Sequence, residues 1–301
     1  MVAGVLGVLV LTAGVAWPRA PLGRPDDPGR AAPAADGSSG SPDPPVVSPA
    51  FTPSSGPPGA GPAASAAPIP SDPPPPPVPG WTLADYDDFS GDRLDRSKWS
   101  PYDSTSTNGV SRWSPSMLRV ASGELRIAGQ GRDPDGDGNV SGGLCWCKHH
   151  QTYGMWQVRA RFEAGLGYGQ ALILWPDSNH WPEDGELDFA EAPTAAKESV
   201  AFTVHWGDNN RVDYARASGD FTQWHTYTVV WKADSVRMLI DDKTYYDSST
   251  SSRNPQIPHS SMHLAIQQEP GPLDPSDWVP NPGPGTPDQV TMHIDWVRIY
   301  R

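Results

Sequence analysis

Apolar and polar residues alternate with a period of two along most of the chain beyond residue 80. The alternation is clear at residues 156–162, 262–267 and 290–296, where every second residue is apolar. Side chains of a strand point alternately to its two faces, so each stretch predicts a strand with one face in a core. Residues 226–231 and 235–240 predict a hairpin. No apolar stripe of helical period runs for ten residues, and many short strands predict a β-sandwich or barrel.

One predicted strand combines this alternation with clustered acids, in the stretch Glu186-Leu-Asp188-Phe-Ala-Glu191. Glu186 and Asp188 are two residues apart and share a face, while the apolar residues beside them point into the core. Glu191 falls on the wrong face of a regular strand. One extra residue, a β-bulge at Phe189-Ala190, would return it to the face of the other two acids. The sequence therefore predicts a row of three carboxyls on a bulged strand.

Three neighbouring carboxyls do not all ionise easily, because like charges raise the pKa of at least one of them. Two carboxyls with separated pKa values are what glycoside hydrolysis requires, one as an acid and one as a carboxylate. Trp175 and Trp181 flank the row, and flat aromatic faces are surfaces on which sugar rings stack. The alternative is an acidic strand face that is simply exposed to solvent.

This motif resembles the Glu-x-Asp-x-x-Glu signature of glycoside hydrolase family 16, in the six-residue form of its laminarinases (endo-1,3-β-glucanases). The resemblance continues in family order over roughly residues 80 to 301. The other segments that carry it are Tyr86–Phe89, Leu94–Trp99, Tyr153–Arg161, Ala171–Pro176, Val204–Gly207, Trp224–Trp231 and Asp295–Tyr300.

The resemblance implies an all-β fold, a β-jelly-roll sandwich of two antiparallel sheets with a concave substrate cleft. It also implies a secreted, retaining endo-β-glycosidase, with 1,3-β-glucan as the expected substrate. Glu186 would be the nucleophile, Glu191 the acid/base, and Asp188 would hydrogen-bond Glu186 between them. Two alternatives stay open: a cell-wall transglycosylase on the same fold, and a carbohydrate-binding jelly roll without activity.

Four residues are expected to contact the substrate. Trp175 and Trp181 match family tryptophans that line the sugar sites, and His205 matches a family histidine that faces the catalytic strand. On the late strand, where laminarinases carry an asparagine followed by two glycines, this chain has Leu264-Ala-Ile-Gln267-Gln268-Glu269. A glutamine can replace the hydrogen bonds of an asparagine at longer reach, and Gln268 is expected to do so. For the tryptophans and His205, packing in the core is the alternative.

The resemblance implies a structural calcium between the opening and closing strands, and the matching residues are Asp88 and Asp295. They would otherwise be a turn residue and an exposed acid. A second candidate, Asp133–Gly138, copies the start of a calcium loop, but Leu144 stands where the loop needs a glutamate. It therefore predicts an acidic surface turn. No cofactor is expected for catalysis.

Cys145 and Cys147 are the chain's 2 cysteines, and with His149 their spacing is that of metal ligands on alternate residues. Four-coordinate zinc needs more ligands than these, and the sequence offers no second cluster of cysteine and histidine. A local disulfide or two thiols in the core are therefore the favoured interpretations.

The amino-terminal part predicts export followed by a spacer. Residues 1–17 are an uncharged apolar run, too short for the ~20 residues of a membrane-spanning helix, and predict a signal peptide or a short membrane anchor. Residues 18–79 are rich in proline, alanine, glycine and serine and predict a disordered linker before the catalytic domain, residues 80–301. The linker is either a tether that holds this domain off a membrane or cell wall, or a leader with no role beyond spacing.

The formal net charge of −13, without a basic patch, argues against nucleic acid as a partner. It fits a neutral polysaccharide better than a strongly acidic one. We expect a monomer that is secreted or extracellular, or anchored at its amino terminus.

Overall fold

The computed structural model describes residues 74–106, 111–131, 138–271 and 279–301. The predicted signal or anchor lies outside these residues. So do residues 18–73 of the predicted linker and residues 133–137 of the predicted turn at Asp133–Gly138. Among the described residues, no helix is long and apolar enough to cross a membrane.

The described strands form two sheets, as the period of two predicts. The strands are β1 Leu83–Asp87, β2 Ser100–Pro101, β3 Ser104–Thr105, β4 Arg112–Trp113, β5 Leu118–Ala121, β6 Glu124–Gln130, β7 Val140–Ser141, β8 Gly143–Cys145, β9 Gly154–Phe162, β10 Tyr168–Pro176, β11 Glu186–Ala192, β12 Ser199–Trp206, β13 Arg211–Ser218, β14 His225–Trp231, β15 Val236–Ile240, β16 Lys243–Asp247, β17 Met262–Pro270 and β18 Gln289–Tyr300. Two short 3₁₀ helices lie at Pro115–Met117 and Ser248–Thr250.

Within the described residues, one sheet has eleven strands and the other has seven. The larger sheet follows the order β16-β15-β14-β9-β18-β6-β7-β4-β3, with β1 beside β18 and β5 beside β6. The smaller sheet follows the order β13-β12-β11-β10-β17-β8-β2. Pairing is antiparallel except between β4 and β7. This is the β-jelly-roll sandwich that the resemblance implies.

The main core lies between the two sheets and takes the apolar side of each strand. Trp156, Phe162, Phe189 and Trp231 are among its fully buried members. Burying apolar surface at about 25 cal/mol per Å² is the dominant stabilising term for such a sandwich. The apolar packing on one side of the domain reaches back to Val78, which contacts the cluster around Tyr300.

A second apolar cluster lies on the opposite face of the seven-stranded sheet, which we call the site face. Its buried members are Tyr102, Trp113, Cys145, Ala171, Ile173, Trp175 and Ala265, with Cys147 and Trp181 packed against them. Since the face also bears Glu186 and Asp188, apolar packing surrounds ionisable groups there.

Candidate active site

A β-bulge in β11 brings the three predicted carboxyls to one face. From Thr203 to Ala201 the partner strand β12 advances two residues, while β11 advances three, from Asp188 to Glu191. Glu186 pairs with His205, which points to the same face as Thr203 and Ala201. The prediction of a bulged strand with an outward acid row is confirmed.

The extra residue of the bulge is Phe189. Opposite it on β10, Leu172 and Ile173 are consecutive but pair with Ala190 and Asp188. Phe189 and Ala190 are both fully buried. Apolar packing between the sheets therefore stabilises the bulge. This packing on the inner side of β11 orients the three carboxyls towards the outer side.

Glu186 lies at the start of β11 and is 1% exposed. The indole Nε1 of Trp181 donates a hydrogen bond of 2.7 Å to its Oε2. Gly185 precedes it with φ of +81°, and a Cβ there would lie 2.6 Å from the ring of Pro258. The turn therefore needs glycine at position 185. This turn places Trp181 so that its indole binds the Glu186 carboxyl.

Asp188 stands between Glu186 and a histidine. Its Oδ2 lies 3.1 Å from Nε2 of His205, and it hydrogen-bonds to Glu186. The other ring nitrogen of His205, Nδ1, donates to Oδ1 of Asn210 at 2.8 Å. Because Asn210 holds Nδ1, Nε2 is the ring nitrogen that faces Asp188.

Burial and mutual repulsion prevent Glu186 and Asp188 from both ionising freely. Burial raises the pKa of Glu186 well above its usual range, and the charge of Asp188 adds to the rise. Burial also raises the pKa of Asp188 well above its range, together with the charge of Glu191. One proton is therefore shared in this pair near neutral pH. Because the Trp181 indole can only donate, it favours the carboxylate form on Glu186 and the proton on Asp188.

Glu191 has a different environment from the other two acids. It is half-buried, and Oγ1 of Thr203 donates a hydrogen bond of 2.8 Å to its Oε2. Its partial exposure lets it exchange protons with water, which the two buried carboxyls cannot do as readily. The row therefore contains one solvent-accessible carboxyl and one coupled, buried pair.

The two predicted sugar-contacting tryptophans lie together on the site face. Their rings stack with centroids 6.3 Å apart at an angle of 13°, and Nε1 of Trp175 donates to Oδ1 of Asn179 at 2.9 Å. Trp175 is 2% exposed, while Trp181 is half-buried. Trp181 thus offers surface to a ligand, and Trp175 supports it from behind.

Gln268 does not face the site. It is fully buried, it accepts a hydrogen bond of 3.0 Å from Gln170, and its Nε2 donates to the carbonyl of Val290 at 2.8 Å. Its neighbour Gln267 pairs with Ala171 and lies on the site face instead. The expected substrate contact through Gln268 is wrong, because a shift of one residue in a strand changes the face.

Asp88 and Asp295 lie at the end of β1 and in β18, on the eleven-stranded sheet and not on the site face. Oδ2 of Asp295 accepts a hydrogen bond of 3.0 Å from Nε of Arg159. A guanidinium already balances this carboxylate, which disfavours a second cation there. Neither residue belongs to a metal-ligating cluster of the described chain. Asp295 is therefore already paired with a cation, and the calcium site at Asp88 and Asp295 stays a prediction that these contacts do not test.

Cys145 and Cys147 form a disulfide with their Cα atoms 5.1 Å apart. This settles between the two favoured interpretations of the pair. Polar residues of this part of the structure that the sequence did not single out include Thr203, Asn210, Asn179, His263 and Gln267. Thr203 could have been found, because it precedes His205 by two residues and would share its face in a strand.

Named relatives match much of the chain at moderate identity. A glucan endo-1,3-beta-glucosidase A1 from Niallia circulans is 27% identical over 279 residues, covering 76% of this chain and 39% of the relative. A beta-glucanase from Rhodothermus marinus is 29% identical over 193 residues, covering 56% of this chain and 66% of the relative. The chain thus spans less than two thirds of each relative's length.

The fold agrees with that of solved laminarinase domains. The catalytic domain of an endo-1,3-beta-glucanase (laminarinase) from Thermotoga petrophila RKU-1 superposes with a TM-score of 0.65 at 20% identity, covering 74% of this chain and 99% of that domain. The sequence profile for "Glycosyl hydrolases family 16" matches residues 105–298, more than half of the chain. The chain therefore belongs to glycosyl hydrolases family 16.

Proposed function

We propose that this chain is a retaining endo-β-glucanase that hydrolyses 1,3-β-glucan. The observation that carries the proposal is the bulged acid row of β11, with one half-buried carboxyl and one coupled pair on the same face. The similarity to relatives named glucan endo-1,3-beta-glucosidase and beta-glucanase supports the substrate class.

In the first step, the Glu186 carboxylate attacks the anomeric carbon and a glycosyl-enzyme forms. Glu191 gives its proton to the leaving glycosidic oxygen in the same step. Before attack, hydrogen bonds from Trp181 and from protonated Asp188 hold the negative charge on Glu186. These two donors also fix the direction from which its oxygen approaches the sugar.

In the second step, a water molecule replaces the departed sugar. Glu191, now a carboxylate, takes a proton from this water, whose oxygen attacks the anomeric carbon and releases Glu186. Thr203 holds Glu191 in place through one of its carboxylate oxygens. His205 faces Oδ2 of Asp188 at 3.1 Å and keeps this carboxyl oriented towards Glu186.

A neutral glycan suits this face. The exposed surface of Trp181 can stack on a sugar ring beside the nucleophile that it binds. Three carboxyls in one row oppose sulfate or carboxylate groups on a substrate, because like charges are costly in a desolvated site. The predicted export from the cell and the amino-terminal tether remain part of the proposal and rest on the sequence of residues 1–79.

Reducing-sugar release tests the proposal directly. Laminarin, mixed-linkage β-glucan, agarose and galactan are each incubated with the wild-type chain, with Glu186→Gln and with Glu183→Gln as a matched control on an exposed carboxyl nearby. We expect release from laminarin that Glu186→Gln abolishes and Glu183→Gln leaves unchanged. Equal loss in both variants, or release from agarose alone, would contradict the proposal.

Azide distinguishes the roles of the two glutamates on an aryl glucoside with a good leaving group. In Glu191→Ala, azide intercepts the glycosyl-enzyme and gives a β-glycosyl azide. In Glu186→Ala, azide attacks the substrate itself and gives the α-anomer. The reverse stereochemistry would exchange the roles. Products longer than the substrate, formed with excess oligosaccharide, would identify a transglycosylase. Polysaccharide binding without turnover would identify a carbohydrate-binding module.

A further inference from the structure

His263 is a buried histidine on the site face that the proposed mechanism does not use. It lies on β17 and is 4% exposed. Its Nδ1 donates to Oδ1 of Asp177 at 2.7 Å. Its Nε2 is buried and has no hydrogen-bond partner among the described residues. A histidine held by a carboxylate on one nitrogen, with the other free, has the arrangement of a metal ligand.

The carboxylate behind this histidine is itself firmly placed. Oγ of Ser261 donates to Oδ2 of Asp177 at 2.5 Å, and Nδ1 of His150 lies 2.9 Å from Oδ1. Partners of this kind fix the tautomer and the ring orientation of a ligating histidine. The ring of His263 is therefore oriented before any ligand arrives.

The two cysteines are the neighbours of this histidine. The sulfur atoms of Cys145 and Cys147 and a ring nitrogen of His263 all lie within 4.8 Å of one another. Cys145 pairs with Ala265 across β8 and β17, so backbone hydrogen bonds hold the two strands at this place. Cys147 is half-buried and gives a soluble reductant access to the disulfide.

We propose that reduction of the Cys145–Cys147 disulfide creates a zinc site made of the two thiolates and Nε2 of His263, with a water as fourth ligand. A dithiol reductant supplies two electrons and two protons and becomes a disulfide itself. Each cysteine thiol then releases its proton when its sulfur binds the ion. Zn²⁺ accepts two thiolates, one imidazole and one water in a tetrahedral arrangement.

The third ligand could not be identified from the sequence, because the fold brings it from a distant part of the chain. His149, adjacent in the chain, contacts Oε1 of Gln151 through Nε2 at 3.2 Å and belongs to no metal-ligating cluster of the described residues. His263 arrives from a distant strand instead. The alternate spacing of Cys145 and Cys147 puts both sulfurs on the face that it occupies.

The site lies beside the path proposed for the glycan. His263 pairs with Trp175 on β10, and Glu186 lies on the next strand, β11. Two strand spacings put the ion roughly 10 Å from the catalytic row. The reduced, metal-bound form therefore carries the ion and its water on the site face, beside the catalytic row.

Cobalt(II) is the probe for this site, because thiolate ligands give Co²⁺ a strong charge-transfer band in the near ultraviolet. The full chain is treated with a dithiol, freed of reductant without oxygen, and titrated with Co²⁺ and then Zn²⁺. We expect one equivalent of Co²⁺ to produce the band and Zn²⁺ to displace it. The oxidised chain should give no band.

Variants assign the ligands. His263→Gln and Cys147→Ser should each weaken Co²⁺ binding at least about tenfold, and Asp177→Asn roughly 10–100-fold, the usual effect of losing the partner behind a ligand. His259→Gln, outside the cluster, should change nothing. Each variant that keeps both cysteines is also oxidised, and near-ultraviolet circular dichroism then checks that it is folded. No band in the reduced wild type, or affinity unchanged in both His263→Gln and Cys147→Ser, would overturn the site whether or not the chain hydrolyses glucan.

Discussion

Replacing Lys197 with methionine should remove a pH-dependent part of the stability of this domain. Lys197 is fully buried, and its Nζ donates to the carbonyls of Tyr168 at 2.6 Å and Ala192 at 2.9 Å. Those carbonyls lie at the start of β10 and at the end of β11, next to Glu191. Burial lowers the pKa of Lys197 from 10.5 to about 7. A neutral amine still donates both hydrogen bonds.

The sign follows from proton binding in the two states. Between pH 7 and 10.5 the unfolded chain keeps a proton on Lys197 that the folded chain has lost, so stability rises with pH across this window. Each full pH unit contributes about 1.4 kcal/mol. Titration is half complete at pH 7, so the gain between pH 7 and pH 9.5 is about 3 kcal/mol. It is lost again as the pH falls towards 7.

Urea unfolding at both pH values measures this gain. The deficit of Lys197→Met relative to wild type should be larger at pH 9.5 than at pH 7 by about 3 kcal/mol. Lys232→Met, at an exposed lysine, should show no such change. A deficit that is the same at both pH values would refute the assignment of a neutral, buried amine. The comparison with wild type cancels the other titrating groups.

Two further predictions concern the site. Trp181→Phe removes the donor to Glu186, so the pKa of Glu186 should rise further. The acid limb of the pH profile of kcat/KM should then move to higher pH by about one unit, the effect of losing a hydrogen bond of about 1.5 kcal/mol. Trp175→Phe is the control, because its indole does not contact Glu186, and it should leave the acid limb in place. Gln268→Leu should cost about 2–3 kcal/mol of unfolding free energy, because it leaves the buried carbonyl of Val290 without its donor. Gln267→Leu should instead raise KM for laminarin about fivefold, because it removes the hydrogen bond of 3.0 Å that holds Oε1 of Glu269 on the site face. Equal effects on KM from the two glutamine variants would contradict the assignment of their faces.

The direction of the acid row could be read from the chain because it depends on local geometry. Period-two alternation places Glu186 and Asp188 on one face. The same rule shows that Glu191 reaches that face only if one residue bulges. The many short alternating segments likewise predict a β-sandwich or barrel, since each must bury one face, and the family resemblance selects the two-sheet sandwich.

Gln268 shows where this reasoning fails. Within β17, alternation assigns Gln267 and Gln268 to opposite faces, and the resemblance favoured the wrong one of the two. The pairing with β10 decides the question, because Ala171 lies opposite Gln267. Register between strands depends on contacts distant in sequence, and a shift of one residue reverses every side chain.

The β class of the fold and the acid row can be predicted from the chain, because both follow from alternation over a few residues. The partners of those groups are visible only in the folded domain: Trp181 on Glu186, Asn210 behind His205, and His263 beside Cys145 and Cys147. The physical reason is that backbone geometry repeats along a strand and can be read locally. Hydrogen bonds between side chains require distances below about 3.5 Å. Alternation cannot predict these distances, because they depend on the turns that carry Trp181 and Asn210 and, for His263, on the packing of distant strands.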